Sequence, residues 1–545
     1  MKNMVITLMG LFVCGWAQAA VGDTFETGGL TYVVKSKGMV GVSSVESNVT
    51  TCTIPANVTY EGTSYKVVAI EEDAFYWSNV VELVLPETVE SIKAGAFRSS
   101  PLAEINLPAS LKEIGARAFY NTEITSISLP EGITRLEDGT FQQCEELLTI
   151  TLPSTLESIG GGVFYKCGFS EIDIPNSCME IGAYAFENCK QLQQVKLPAN
   201  LLELKEGTFY GCNQLVDIQI PTTVTTIETA VFQNVGMKSL HLPASVEVIQ
   251  SNAFNGAPIE TVTVAAENPA FVVEDNVLYT KDHRFLYLYP RTGAPTTYTL
   301  HDDCVAVYGG AFYGTDVKEV IFPDGFLGID TYAFCLSTLE RINLPSSVEL
   351  LYDQAFAGTN LKEFNLPAGV TTLSDALFAD CKQLTTVTLH DKVTEVGNRV
   401  FYYCSSLSTI YCLGTTPPEF APWDTYTNPF FYVNYDNVEI VCPTGTLSTY
   451  QLSEWGDFFT NIREADLSAV ASVNGNKTWA VETLPGKLIV KGVAGAVVKL
   501  VSANGAVIAE QQADSDVMTF SALPKGIYVV SVISNGVMQS HKVLL

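Results

Sequence analysis

Thirteen cysteines, five histidines and 59 acidic residues are the side chains of this 545-residue chain best able to do chemistry. Thiols close disulfides, attack carbonyls or hold zinc; imidazoles move protons or hold metals; paired carboxylates cleave glycosidic bonds. Spacing argues against most of these uses. The sequence has no C-x-x-C and no paired His–Cys spacing of the kind zinc takes, no H-E-x-x-H and no G-x-S-x-G elbow. Gly475-Asn476-Lys477-Thr478 lacks the upstream glycine of a phosphate loop. His301 and His390 stand where a proline usually follows a strand, and His241 stands at an outward strand position. The sequence therefore predicts no catalytic residue, no metal site and no cofactor. A net charge of −29 disfavours phosphate backbones and anionic lipid surfaces as partners.

The cysteines do have a phase. Cys144, Cys167, Cys189, Cys212, Cys381 and Cys404 each lie three residues after a phenylalanine. That phenylalanine recurs at 75, 97, 119, 141, 164, 186, 209, 232 and 254, then at 312, 334, 356, 378 and 401, in steps of 22 or 23 outside the one gap. Cys178 and Cys304 take the Leu111 place, Cys412 the Leu107 place and Cys52 the Ile105 place of the unit Leu102–Phe119. A repeated slot for a small apolar residue accounts for such a row. Adjacent rungs about 4.8 Å apart also leave disulfides open; the buried, reduced row is the favoured reading.

Each unit opens L-x-x-I-x-L, whose last two apolar positions alternate as a strand with one buried face. A proline usually ends it, because proline donates no ladder hydrogen bond. A period of 22–23 with this pattern predicts a stacked solenoid, each coil burying its apolar side against its neighbours. The full motif L-x-x-I-x-L-P…I-G-x-x-A-F-x-x-C resembles the BspA-like leucine-rich repeats of bacterial surface proteins, with proline where the commoner consensus has asparagine. The resemblance implies a mainly β leucine-rich-repeat solenoid with short helical or 3-10 return segments. It also implies a surface adhesin whose partners are host matrix proteins or bacterial surface proteins.

Residues 1–20 read as a secretory signal peptide: Lys2, an apolar run from Met4 to Trp16, and Ala17-Gln18-Ala19 before the cleavage point. Residues 21–70 read as a β cap, 71–412 as the solenoid with a hairpin insertion at about 265–297, 413–464 as a C-terminal cap, and 465–480 as a linker. Nothing after the leader is apolar for long enough to span a bilayer. Residues 481–545 read as a small all-β sandwich. Its Leu523-Pro524-Lys525-Gly526 segment and terminal His541-Lys542-Val543-Leu544-Leu545 resemble a type IX secretion sorting domain, implying passage through the outer membrane.

The candidate binding face follows from strand alternation. The residues flanking the middle apolar position point outward: Glu104 and Asn106, Glu171 and Asp173, Gln194 and Lys196, Asp217 and Gln219, Arg341 and Asn343, Glu363 and Asn365, with Thr388 and Tyr411 further on. A second candidate is an aromatic patch, Tyr279, Phe285, Tyr287 and Tyr289, in the inserted hairpin; packing of those rings onto the solenoid is the favoured reading. The expectation is a non-catalytic, exported protein-interaction protein. A glycan-binding surface protein needing exposed aromatic platforms such as Trp423, or a hydrolase, are the rivals.

Overall fold

Most coils contain two short parallel strands and one tight corner, and the repeat explains all three. The computed structural model describes residues 19–467 and 480–544, apart from 485–486, 492, 494, 503–506, 516, 525–526 and 535–536, so the leader, most of the linker and parts of the sorting-like segment lie outside it. The chain divides into two units at Phe271/Val272.

In the first unit, Thr51–Thr53, Glu82–Val84 and Glu104–Asn106 pair in parallel, with Cys52, Leu83 and Ile105 in register. Ser126–Ser128 pairs with Thr149–Thr151, Glu171–Asp173 with Gln194–Lys196, and Ser239–Leu242 with Thr261–Val264 in the same way. The return side, expected as short helical or 3-10 segments, instead carries a second parallel ladder of two-residue strands such as Ser91–Ile92 and Glu113–Ile114. In these two only the second residue is buried, and stacking supplies the hydrogen bonds a helix would otherwise need. Before the coils, Thr24–Thr27, Leu30–Ser36 and Met39–Val45 form an antiparallel meander, and Thr63–Ile70 joins it to the second ladder.

The corner is organised by the phenylalanine. Its N–H donates to the next coil, Phe97 to the Ala118 carbonyl at 2.8 Å and Phe119 to that of Thr140 at 2.9 Å. The rings then stack in a file, with centroids 5.2 Å apart for Phe97–Phe119, 5.3 Å for Phe119–Phe141 and 5.5 Å for Phe186–Phe209, within the range of favourable offset stacking. Left-handed residues flank the ring two positions before and after it, as at Arg117 (φ 53°) and Asn121 (φ 53°).

The second unit has its own file, Phe312, Phe334, Phe356, Phe378 and Phe401, with a rung added at each end. Tyr289 stacks on Phe312 at 4.7 Å and donates its N–H to the Ala311 carbonyl, as a repeat phenylalanine does. Phe430 stacks on Phe401 at 5.2 Å. The expected hairpin is present, Val277–Thr280 pairing antiparallel with Phe285–Leu288. Its second strand is also a coil strand, since Leu286 lies in register with Val307. Glu439–Pro443 and Ile462–Ala465 extend the outward-facing ladder beyond Thr409–Cys412, and two short helices, Leu447–Gln451 and Glu454–Phe458, bury Tyr450 and Trp455. The tail is a small all-β element of two antiparallel sheets, three and four strands, around Leu488, Val490, Val498, Leu500 and Val530.

The cysteine row sits behind the phenylalanine file. No described cysteine is in a disulfide, and all but Cys52 are buried. Each thiol of the row bonds the preceding coil's phenylalanine carbonyl: Cys144 to Phe119 at 3.0 Å, Cys189 to Phe164 at 2.9 Å, Cys381 to Phe356 at 3.1 Å. At four coils where the same position is a hydroxyl residue, it bonds its own coil's phenylalanine carbonyl, as Ser100 to Phe97 at 2.8 Å and Thr315 to Phe312 at 2.9 Å, whereas the buried Ser337 hydroxyl bonds nothing among the described residues. Burial pushes the Cys144 and Cys381 thiols up to about 11 and Cys212 up to about 12, and also raises Cys167, Cys189 and Cys404 well above the usual thiol value. Thiols held protonated in this way are poor nucleophiles.

Candidate functional site

The outward positions of the ladder are where packing leaves the residue type free. In the first unit Glu104, Asn106, Glu171, Asp173, Gln194 and Lys196 are exposed on their strands while the residue between each pair is wholly or partly buried. Asn106 turns part of its side chain back, accepting from the Leu85 N–H at 2.8 Å and donating to the Leu85 carbonyl at 3.0 Å. Asp173 stands beside Lys196 in the register. Glu82 stands beside Glu104, and like charges directly opposite each other on a sheet destabilise it.

Asp217 and Gln219 are exposed as expected, but residues 217–219 join no ladder. The two side chains bond each other at 3.1 Å. Next to this break lies a shallow open groove lined by Gln193, Gln194, Gln214, Val216, Asp217 and Gln219.

In the second unit Arg341, Asn343, Glu363 and Asn365 are exposed, with Asn343 just beyond its strand. Arg341 pairs with Glu319 at 3.1 Å, which holds its guanidinium pKa above the usual value. Arg463 grips Glu439 with two nitrogens, at 2.8 and 3.1 Å. Tyr411 is only half exposed, and its register neighbour Thr388, expected to face outward, is buried.

The hairpin aromatics do not form the exposed platform of the candidate patch; they pack against the coils, the reading favoured from the sequence. Tyr279 and Tyr289 are buried; Tyr279 bonds the Tyr298 hydroxyl at 2.8 Å and Tyr289 donates to the Pro295 carbonyl at 2.6 Å. Tyr287 stacks on Tyr308 at 4.1 Å, and Phe285 meets the same ring edge-on at 6.2 Å. The rings are held by neighbouring rungs because one strand of the hairpin is itself a coil.

Sequence reasoning missed two groupings. The first is an aromatic cluster on the last corners: Tyr403 stacks on Tyr432 at 4.3 Å and Tyr402 on Phe431 at 6.0 Å, with Tyr426 edge-on to Phe431. Tyr426 is 69% exposed, Tyr432 56% and Tyr403 39%. Tyr403 and Tyr432 sit in left-handed backbone (φ 56° and 65°), the corner position where about half of the other coils place asparagine or glycine. An aromatic residue there carries strain, and such strain gathers at functional sites. Counting two residues on from Phe401 finds Tyr403, but the step of 29 to Phe430 hides Tyr432. The second grouping joins Glu274, His283 and His301, whose donor atoms lie within 4.8 Å of one another. Nothing in their separation along the chain signals it.

Among the described residues, no helix is long and apolar enough to cross a membrane. The BspA type leucine rich repeat region family matches the chain in six copies across residues 68–189, 158–274 and 299–416. No curated protein matches. Among solved structures, a leucine rich cell surface protein from Faecalibacterium prausnitzii is similar over 75% of this chain and 98% of its own, at 23% identity and TM-score 0.45. The pneumococcal vaccine antigen PcpA is similar over 82% of this chain and 98% of its own, at 18% identity and TM-score 0.41. A leucine-rich repeat protein from Bacteroides ovatus covers 81% of this chain and 100% of its own, at 22% identity and TM-score 0.40.

Proposed function

Since this chain belongs to the BspA-type leucine-rich-repeat family, we propose that it is a non-catalytic, exported surface or secreted protein whose strand face adheres to a protein partner. The observation that carries this reading is the face itself: a polar ladder whose outward residues the core does not need. The adjacent carboxylates of Glu82 and Glu104 cost stability without packing anything. Residues kept at such a cost suit a basic patch on a partner, whose approach the acidic field accelerates. Host matrix proteins and bacterial surface proteins are the partner classes the family resemblance points to. Export rests on the leader pattern, and outer-membrane passage on the resemblance of residues 481–545 to a sorting domain.

A second reading, glycan capture, is favoured by the exposed Tyr403, Tyr426 and Tyr432 cluster, because flat aromatic faces stack on sugar rings. A hydrolase would need carboxylates converging in a closed pocket, whereas Glu171, Asp173 and Glu363 stand exposed on an open sheet.

The test is surface plasmon resonance of the full-length chain over immobilised extracellular-matrix proteins and, separately, polysaccharides. The adhesin reading expects saturable binding to a protein that weakens with salt. Binding confined to polysaccharide and lost in Tyr432→Ala transfers the function to the aromatic cluster, and binding to neither class overturns both. Export is tested in the native cell by locating the full chain beside one ending at residue 480. The sorting reading expects the shortened chain to stop in the periplasm; unchanged location refutes it.

A further inference from the structure

We propose that Glu274, His283 and His301 form a binding site for a divalent transition-metal ion, with zinc as the fitting probe. The site lies wholly in the second unit and depends on the hairpin. Glu274 ends the strand Phe271–Glu274, His283 is in the tight turn between Val277–Thr280 and Phe285–Leu288, and His301 follows Thr297–Thr299 by two residues. The turn is fixed from within. The His283 N–H donates to the Thr280 carbonyl at 2.8 Å, while the Asp282 carboxylate accepts from the Thr280 hydroxyl at 2.6 Å and the Arg284 N–H at 3.1 Å. His283 itself is left-handed (φ 59°), and its ring lies near that of Tyr279 on the strand it has just left.

Two imidazoles and a carboxylate are a donor set that suits zinc and its neighbours, leaving a fourth position for water. Here the His283 Nε2 lies 3.1 Å from a Glu274 oxygen. Two ligands on one tetrahedral ion stand roughly 3.4 Å apart for bonds of about 2.0–2.1 Å, so that pair is already at ligand spacing. The His283 and His301 rings lie 4.1 Å apart and within 16° of parallel. Lone pairs lie in the ring planes, so one imidazole must turn about its χ2 bond before both aim at a common point. That torsion is soft in histidine. Buried Tyr279 lies beneath both rings, at 5.7 and 6.4 Å, and gives them a fixed floor.

The protons also balance. The His301 Nδ1 now accepts the Asp303 N–H at 3.1 Å, with the Asp303 carboxylate at 3.7 Å. A metal on Nε2 puts the ring proton on Nδ1, and the carboxylate is placed to take it in exchange for the N–H contact, the usual arrangement behind a metal-bound histidine.

The experiment is calorimetric titration of Zn²⁺ into the full-length, untagged chain, with Co²⁺ as a spectroscopic substitute. One ion per chain is expected, with affinity falling by at least about tenfold in His283→Ala and in His301→Ala, the least that loss of even a supporting group costs a metal site. His241→Ala, in the other unit, leaves binding unchanged. The Co²⁺ form is expected to show ligand-field bands without thiolate charge transfer, which separates this site from the cysteines. No binding by the wild-type chain, equal binding by the His283→Ala/His301→Ala double variant, or a thiolate spectrum each overturns the proposal. All three ligands are partly exposed, so unchanged thermal unfolding of the metal-free variants verifies that they fold.

Discussion

The strand face and the phenylalanine corner are built from the same coils, yet they obey different rules. At the corner the residue is set by what lies above and below: a ring every 22 or 23 residues, a small group three residues on, and left-handed backbone on either side. On the face, successive rungs of the first unit read Glu–Asn, Ser–Ser, Thr–Thr, Glu–Asp and Gln–Lys with no shared chemistry. Stacking dictates the corner and leaves the face free. Damage to the corner should therefore register as lost stability, and changes to the face as altered binding.

The largest expected effect is Phe164→Ala. This ring is fully buried, stacked between Phe141 at 6.0 Å and Phe186 at 5.3 Å, and its removal should cost about 3–5 kcal/mol in a urea titration. A cost under about 1 kcal/mol would mean that the file is not the spine of the core.

Alkaline pH probes the row behind the rings. A thiol whose folded pKa is raised leaves the unfolded chain to ionise first, so its contribution is whole below about pH 9 and is lost as pH rises toward 11. For Cys144 the loss is about 1.4 kcal/mol per pH unit in that window. The slope of unfolding free energy against pH should become shallower by one proton in Cys144→Ala; an unchanged slope would place the thiol in contact with water.

Leu336→Asn tests the corner backbone from the other direction. Leu336 is exposed and left-handed (φ 57°), and asparagine adopts that conformation more readily. A gain of about 0.5–1 kcal/mol is expected in thermal unfolding, whereas destabilisation would show that the leucine packs something.

The same contrast explains what was legible in the sequence. Period, strand phase and the buried cysteine row could all be read because each residue repeats its own context. Tyr289 is hard to recognise as a rung because its ring is not phenylalanine, although it lies one normal step of 23 before Phe312. Phe430 was hidden by the wider step of 29 that precedes it. The return strands escaped notice because two residues are too few to show a period. Glu274, His283 and His301 meet only because the hairpin doubles the chain back, and no local spacing encodes that fold-back. The strand positions expected to point outward are exposed at most rungs, but Thr388 is buried and residues 217–219 leave the ladder, since alternation fixes direction and not what covers a position.

The most direct measurement exchanges Glu82 and Glu104 for lysine together in the full-length chain. It then follows thermal unfolding and binding to the matrix protein the wild-type chain retains. The double change keeps two like charges side by side and so holds their repulsion constant while inverting the field a partner meets. Unfolding within about 0.5 kcal/mol of the wild type, with binding weakened at least tenfold, is the predicted result. Binding that survives the inversion unchanged would contradict the assignment of function to this face.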